Sequence, residues 1–277
     1  MKNRLPILPL LLFLSVSAVQ AQVTLQPLTT FGTNGDGTIR PNDYPFLTSS
    51  NQWQRGMAYN PTTGHLLVVD RSTNGPTGSF NDVYILDGTT GAALGKLDNG
   101  STLPGGNTAF VLNQIGVADD GAIYVVNLSS ANFPPQTHVY RWDNETALQS
   151  PVFNGDPSNG TSTNNIAANR RWGDTMAVRG AGTNTQILIA NRGTLVALLT
   201  PTDSSMTAFT ARTLTTDAPV GGFSIGLSFG AGNTFWGTSG GFGNGPLLHL
   251  QFDTVAGTAT TLTSFPSPTF PGTISPI

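Results

Sequence analysis

Tyr84-Ile85-Leu86-Asp87-Gly88-Thr89-Thr90-Gly91 reads as the end of a strand, an Asp-led turn and the start of a returning strand. Tyr140-Arg141-Trp142-Asp143 does the same before Asn144-Glu145-Thr146, and Leu250-Gln251-Phe252-Asp253 before Thr254-Val255-Ala256-Gly257. A degenerate copy, Ala197-Leu198-Leu199-Thr200, precedes Pro201-Thr202-Asp203. The aligned positions 87, 143, 200 and 253 are spaced by 56, 57 and 53 residues. A period this regular marks a repeat architecture.

Each copy carries two more strand-like runs upstream. The first set is Gly56–Tyr59, Gly116–Ala118, Thr175–Val178 and Gly226–Ser228; the second is Leu66–Asp70, Ala122–Asn127, Gln186–Asn191 and Asn233–Thr238. Turn residues separate the two, such as Asn60-Pro61-Thr62-Thr63-Gly64 and Asp119-Asp120-Gly121. Small residues dominate the first strand and bulky apolar ones the second, a gradient expected where first strands crowd around a central channel. The expected fold is all-β, a β-propeller of four-stranded antiparallel blades. Four complete blades are recognisable, at roughly 54–97, 113–153, 174–214 and 222–265.

The ends bear on completeness. Residues 23–31 resemble the fourth strand at Thr258–Phe265 but lack three preceding partners, and 270–277 stand where a further first strand would begin. The expectation is a lone outer strand and a truncated larger propeller, within a domain running from 22 to 277. A natural four-bladed ring with ragged ends is the alternative.

Composition excludes several classes. The 277 residues contain no Cys, which removes disulfide scaffolds, thiolate metal sites and a Cys nucleophile. Glu145 is the single Glu, and Lys occurs only at Lys2 and Lys96, so a helical protein is not expected. Lys2 and Arg4 precede an apolar run ending in Val19-Gln20-Ala21, read as a secretory signal at residues 1–21. Cleavage there leaves 10 basic against 15 acidic residues, a net charge of −5. The expected product is secreted, extracellular or periplasmic, with no membrane span in the mature chain and no nucleic-acid partner.

Chemistry is expected where second strands end and blades connect. Those places supply Trp53, Gln54, Arg55, Asp70, Arg71, Gln114, Asn127, Arg171, Trp172, Asp174, Asn191 and Arg192. Amide and guanidinium groups beside indole faces suit sugar or small-anion recognition. The competing reading is that they cap strands and tie blades together. Trp172 is either a stacking platform or a wedge between blades, the wedge being favoured. Asp70 and Asp174 are the only carboxylates nominated for catalysis. No metal is expected at His65, His138 and His249, which fall in different repeats. Asn34-Gly35-Asp36-Gly37-Thr38 suggests a Ca²⁺ loop superficially but lacks the alternating acids and closing Glu, so no cofactor is predicted and an Asx turn is expected.

Four stretches carry a resemblance: Thr33-Asn34-Gly35-Asp36-Gly37-Thr38-Ile39-Arg40-Pro41, Gln54-Arg55-Gly56-Met57-Ala58-Tyr59-Asn60-Pro61, Ile115-Gly116-Val117-Ala118-Asp119-Asp120-Gly121-Ala122-Ile123-Tyr124 and Arg171-Trp172-Gly173-Asp174. From about residue 30 onward the chain resembles a family of secreted bacterial propeller-like proteins with a domain of unknown function, of the kind found in Verrucomicrobia-type environmental bacteria. The resemblance implies secretion and a β-propeller and supports truncation. It supplies no catalytic residues. The functional expectation is a binding or scaffolding module contacting glycan or an exported protein, with a hydrolase or lyase acting on polysaccharide or lactone as the alternative.

Overall fold

The computed structural model describes residues 28–47, 53–71, 81–100, 103, 108–129, 136–158, 171–219, 221, 223–238 and 245–266. The expected signal at 1–21 and the expected opening strand at 270–277 lie outside the described residues.

The described chain is all-β, with one 3-10 turn at Gly182–Asn184. Four antiparallel meanders follow one another. The first comprises β1 (Gln54–Asn60), β2 (His65–Asp70), β3 (Asp82–Asp87) and β4 (Ala93–Lys96). The second comprises β5 (Thr108–Val117), β6 (Ile123–Ser129), β7 (Thr137–Trp142) and β8 (Ser150–Gly155). The third comprises β9 (Trp172–Arg179), β10 (Gln186–Asn191), β11 (Leu195–Pro201) and β12 (Phe209–Thr216). The fourth comprises β13 (Gly226–Phe229), β14 (Thr234–Thr238), β15 (Leu247–Asp253) and β16 (Thr258–Phe265).

The turn chemistry that exposed the repeat is visible in atoms. Asp87 Oδ1 accepts from the backbone amides of Thr89 (3.0 Å) and Thr90 (2.7 Å), and Asp253 Oδ1 from those of Val255 (2.7 Å) and Ala256 (3.0 Å). These amides hold both carboxyls below the usual carboxylate range. In the second and third units the cap moves along the turn. Asn144 Oδ1 takes the amide of Thr146, and Asp203 Oδ1 that of Ser205.

The cores lie between units. Leu67, Val69, Val83 and Ile85 of the first unit cluster with Leu112, Ile115, Ile123, Val125, Tyr140 and Trp142 of the second. Tyr124, Val126, Val139 and Val152 of the second cluster with Trp172, Met176, Ile187 and Ile189 of the third. Leu188, Ala190, Val196 and Leu198 of the third cluster with Phe223, Phe235, Leu250 and Phe252 of the fourth. β6 and β10 thus send alternate side chains to two different cores, which is why both read as nearly continuous apolar runs. The terminal meanders bury one face: β14 alternates buried and half-buried residues, and Met57 and Tyr59 of β1 are exposed.

First strands of successive units stand side by side, β1 against β5, β5 against β9 and β9 against β13. A Cβ on Gly116 would come within 2.5 Å of Val178 Cγ2, so the small residues of these strands answer a close approach.

Two expectations need correction. The third and fourth units are not separate sheets. β12 pairs in parallel with β16 through Thr215↔Thr258 and Thr216↔Ala259, giving one eight-stranded sheet in the order β13-β14-β15-β16-β12-β11-β10-β9. Asp217 fixes this join by accepting from the amide (3.0 Å) and hydroxyl (2.7 Å) of Thr261. The expected outer strand at 23–31 is also not a strand where it is described. Residues 28–31 form a turn closed by the Phe31 amide on Leu28 O at 2.9 Å, and 23–27 lie outside the described residues.

Candidate functional site

In every meander the first strand begins where the second ends. Gln54 faces Asp70, Thr108 faces Ser129, Trp172 faces Asn191, and Gly226 faces Thr238. This near end of the sheets therefore receives both the second-to-third-strand connections and the links between units. Three of the four first strands are bulged there. Arg55 and Gly56 oppose Val69, residues 111–113 oppose Asn127, and 173–175 oppose Ala190. A bulge leaves backbone groups unpaired within the sheet and re-aims side chains. Here the freed groups meet the neighbouring unit.

Asn113 is the centre of that arrangement. It is buried, its Oδ1 accepts from Arg71 Nη1 at 2.7 Å, and its Nδ2 donates to Gly173 O at 2.6 Å. Gln114 Nε2 donates to Asp174 O at 3.0 Å. Arg171 Nη2 donates to Asp174 Oδ1 at 2.7 Å, and Asp174 is buried. Arg71 lies over the Phe110 ring, 4.1 Å from its centre, and Trp53 meets the same ring edge-on at 6.0 Å. One network thus ties the first, second and third units. Burial, and then the like charges of Arg55 and Arg171, hold the Arg71 guanidinium below its ordinary value, with Asp174 acting against them.

Of the residues singled out in the sequence, Trp53, Arg55, Arg71, Gln114, Arg171 and Asp174 join this cluster. Gln54 turns away, its Nε2 donating to Phe46 O. Trp172 has no exposed surface, so its indole presents no stacking face. Its amide donates to Ser129 Oγ at 2.7 Å, joining the second unit to the third. Asn127 and Asn191 are buried and bridge their own second-to-third-strand connections. Asn127 Oδ1 accepts from the His138 amide (2.9 Å), and Asn191 Oδ1 from those of Gly193 (2.9 Å) and Leu195 (3.0 Å). Asp70 is buried at the end of β2. Arg192 is exposed, and its amide donates to Arg171 O as that of Arg71 donates to Trp53 O. The same backbone closure therefore places an Arg after β2 and after β10.

Asp36, in the loop weighed for Ca²⁺, accepts from the amide and hydroxyl of Thr38 and pairs with Arg40. That is an Asx turn with its carboxylate engaged.

Sequence reasoning missed Glu145. From the far end of the second unit it reaches the β1–β2 turn of the first, where it accepts from Asn60 Nδ2 (2.8 Å) and Thr63 Oγ1 (2.6 Å) and pairs with His65 Nδ1 (2.6 Å). Its being the only Glu of the chain was the available signal.

His138 is buried, stacks on Tyr140 at 6.1 Å, and neither ring nitrogen finds a hydrogen-bond partner among the described residues. Burial disfavours the imidazolium and lowers its pKa. The unfolded chain, with His near 6.5, takes up a proton first as pH falls. Stability should therefore decline below about pH 6.5, by up to ~1.4 kcal/mol per pH unit, until the folded-state pKa is reached. Urea unfolding of His138→Phe beside the parent at pH 7.5, 6.5 and 5.5 checks this. The parent should lose more stability than the variant across that range, and parallel curves would remove His138 as the cause.

No helix among the described residues is long and apolar enough to cross a membrane. No family model matches the chain, and no curated protein sequence matches it. Among solved structures it is similar to a DUF4623 family protein from Bacteroides eggerthii, with 16% identity, a TM-score of 0.54, and coverage of 72% of this chain and 43% of that one. It is also similar to a chain of a nidogen/laminin complex, with 11% identity, a TM-score of 0.47 and coverage of 79% and 66%. A gluconolactonase from Xanthomonas campestris shares 15% identity at a TM-score of 0.41, over 80% of this chain and 78% of that one. The chain thus spans less than half the length of the DUF4623 protein, itself bearing a domain of unknown function, and what the two share is the arrangement of strands.

Proposed function

We propose that the four meanders are blades of a β-propeller and that the protein is an exported binding or scaffolding module whose near-end loops contact glycan or another exported protein. The face-to-face stacking of meanders with first strands adjacent supports the propeller. The apolar run ending at Ala21 supports export. One observation carries the binding role: bulges in three neighbouring first strands gather arginine, amide and aromatic side chains at a single end. The nominated carboxylates, Asp70 and Asp174, are both buried there, which favours holding over turnover.

Affinity electrophoresis through gels carrying soluble polysaccharides tests the role. Retardation of the parent, kept in an Asp70→Asn variant that still melts cooperatively, is the expected result. Release of reducing ends by the parent that disappears in Asp70→Asn or Asp174→Asn variants would replace the binding role with hydrolysis or lysis.

A further inference from the structure

At the near end, the charges carried by the inner strands, the first and second of each unit, do not match those of the chain. The whole sequence carries a net charge of −3. Yet Arg55 on β1, Arg71 after β2, Arg171 before β9 and Arg192 after β10 all stand at this end of the inner strands. The acids that accompany them are hidden: Asp70 is 2% and Asp174 is 5% exposed, and Asp174 is already engaged by Arg171. Arg55 and Arg192 are exposed and make no side-chain hydrogen bond or ion pair among the described residues, and the Arg171 side chain keeps a third of its surface. What faces solvent from the inner strands here is therefore cationic.

Two of the arginines are also held in place. Arg71 is fixed by Asn113 Oδ1 and the Phe110 ring, and Arg171 by Asp174. Asn113 lies between them, bonding Arg71 on one side and Gly173 O on the other. Burial lowers the Arg71 pKa, and the like charges of Arg55 and Arg171 lower it further, so these guanidiniums stand near enough to oppose one another. A bound anion relieves the repulsion and supplies acceptors suited to guanidinium forks. The four groups are spread over the first and third units with the second between them, which fits a series of anions along an extended chain better than one small ion.

We propose that the near end binds an acidic glycan, carboxylated or sulfated, with Arg55 and Arg192 as freely accessible counter-charges and Arg71 and Arg171 as braced ones. Asn113 and Asp174 are positioning residues for the braced pair. This inference rests on the binding role proposed above and names its ligand class.

The full chain should be titrated calorimetrically with oligogalacturonate, with sulfated dextran oligomers, with neutral dextran oligomers and with poly-glutamate. The expected result is binding to a charged glycan that weakens at least tenfold between about 50 and 500 mM NaCl, with little binding to neutral dextran. The carboxylated and sulfated arms identify which anion is preferred. An Arg55→Ala/Arg192→Ala variant should lose roughly tenfold or more in affinity at unchanged melting temperature. Arg212→Gln, on the outer strand β12, removes the same kind of charge away from the cluster and should bind as the parent does. Neutral dextran bound as tightly as the acidic glycans, with the double variant unaffected, would overturn the acidic-ligand inference while leaving glycan binding standing. Poly-glutamate bound as tightly as either acidic glycan would overturn the assignment to glycan. Silence in every arm from a cooperatively melting protein would bring down glycan binding itself, and the acidic-ligand inference with it.

Discussion

Gly173→Ala is expected to cost about 3 kcal/mol or more of folding stability, among the largest effects of any single methyl in this chain. Two separate demands meet at this residue. Its φ is +89°, a region where an L side chain is strained by roughly 1–2 kcal/mol. The added Cβ would also stand 1.9 Å from Asn127 O, inside any tolerable contact. That carbonyl cannot retreat cheaply. Asn127 is fully buried, its Nδ2 donating to Gln136 O at 3.0 Å and its Oδ1 accepting from the His138 amide. Nor can Gly173 move the other way, because its own carbonyl accepts from Asn113 Nδ2. The methyl must push the second and third units apart or break the network that holds Arg71. Gly182→Ala is the control, since Gly182 has φ +50° but nothing within 4 Å of the added Cβ. It should show the conformational cost alone, about 1 kcal/mol. Urea midpoints of the two variants measure the difference, and equal midpoints would mean that the bulge relaxes to admit the methyl.

The contrast between Gly173 and Asp87 explains what the sequence made legible. Asp87 caps a turn made by the three residues that follow it, so its purpose is written within one four-residue window, and it recurs at Asp253. The second strands were legible for a similar reason. A bulky apolar run such as Ile123-Tyr124-Val125-Val126 marks a strand that must pack on neighbours, though not on which ones. The junctions are different. Asn113 meets Gly173 across 60 residues and Asn60 meets Glu145 across 85, and nothing local distinguishes these polar residues from ordinary turn formers. Position along the repeat did locate the near end, which is why Arg55, Arg71, Gln114, Arg171 and Asp174 were found together. It could not separate side chains that face solvent from those that close a loop, as Asn127 and Asn191 do. The parallel join of β12 to β16 was illegible for the opposite reason. Thr258–Phe265 is rich in Thr and mostly exposed, so its pattern names no partner, and the choice falls to Asp217 and Thr261.

Trp172 yields the second large effect. Its ring is completely buried in the core shared by the second and third units, with Tyr124, Val126 and Val139 from one side and Met176, Ile187 and Ile189 from the other. Trp172→Ala removes the largest side chain of that core and leaves a cavity that two sheets cannot collapse to fill. The expected loss is about 3–5 kcal/mol, seen as an early unfolding midpoint. Trp172→Phe separates packing from polarity. The indole Nε1 is buried and has no hydrogen-bond partner among the described residues, so Phe removes a polar group that makes no bond to them and sacrifices only part of the volume. Its cost should stay under about 1.5 kcal/mol. A glycan platform would give the reverse order of consequences, with both variants folding normally and both losing ligand. If Trp172→Phe retains glycan affinity while Trp172→Ala unfolds, the residue acts as the wedge that sets the spacing between units. The arginines at the near end then owe their positions to an indole they never expose to ligand.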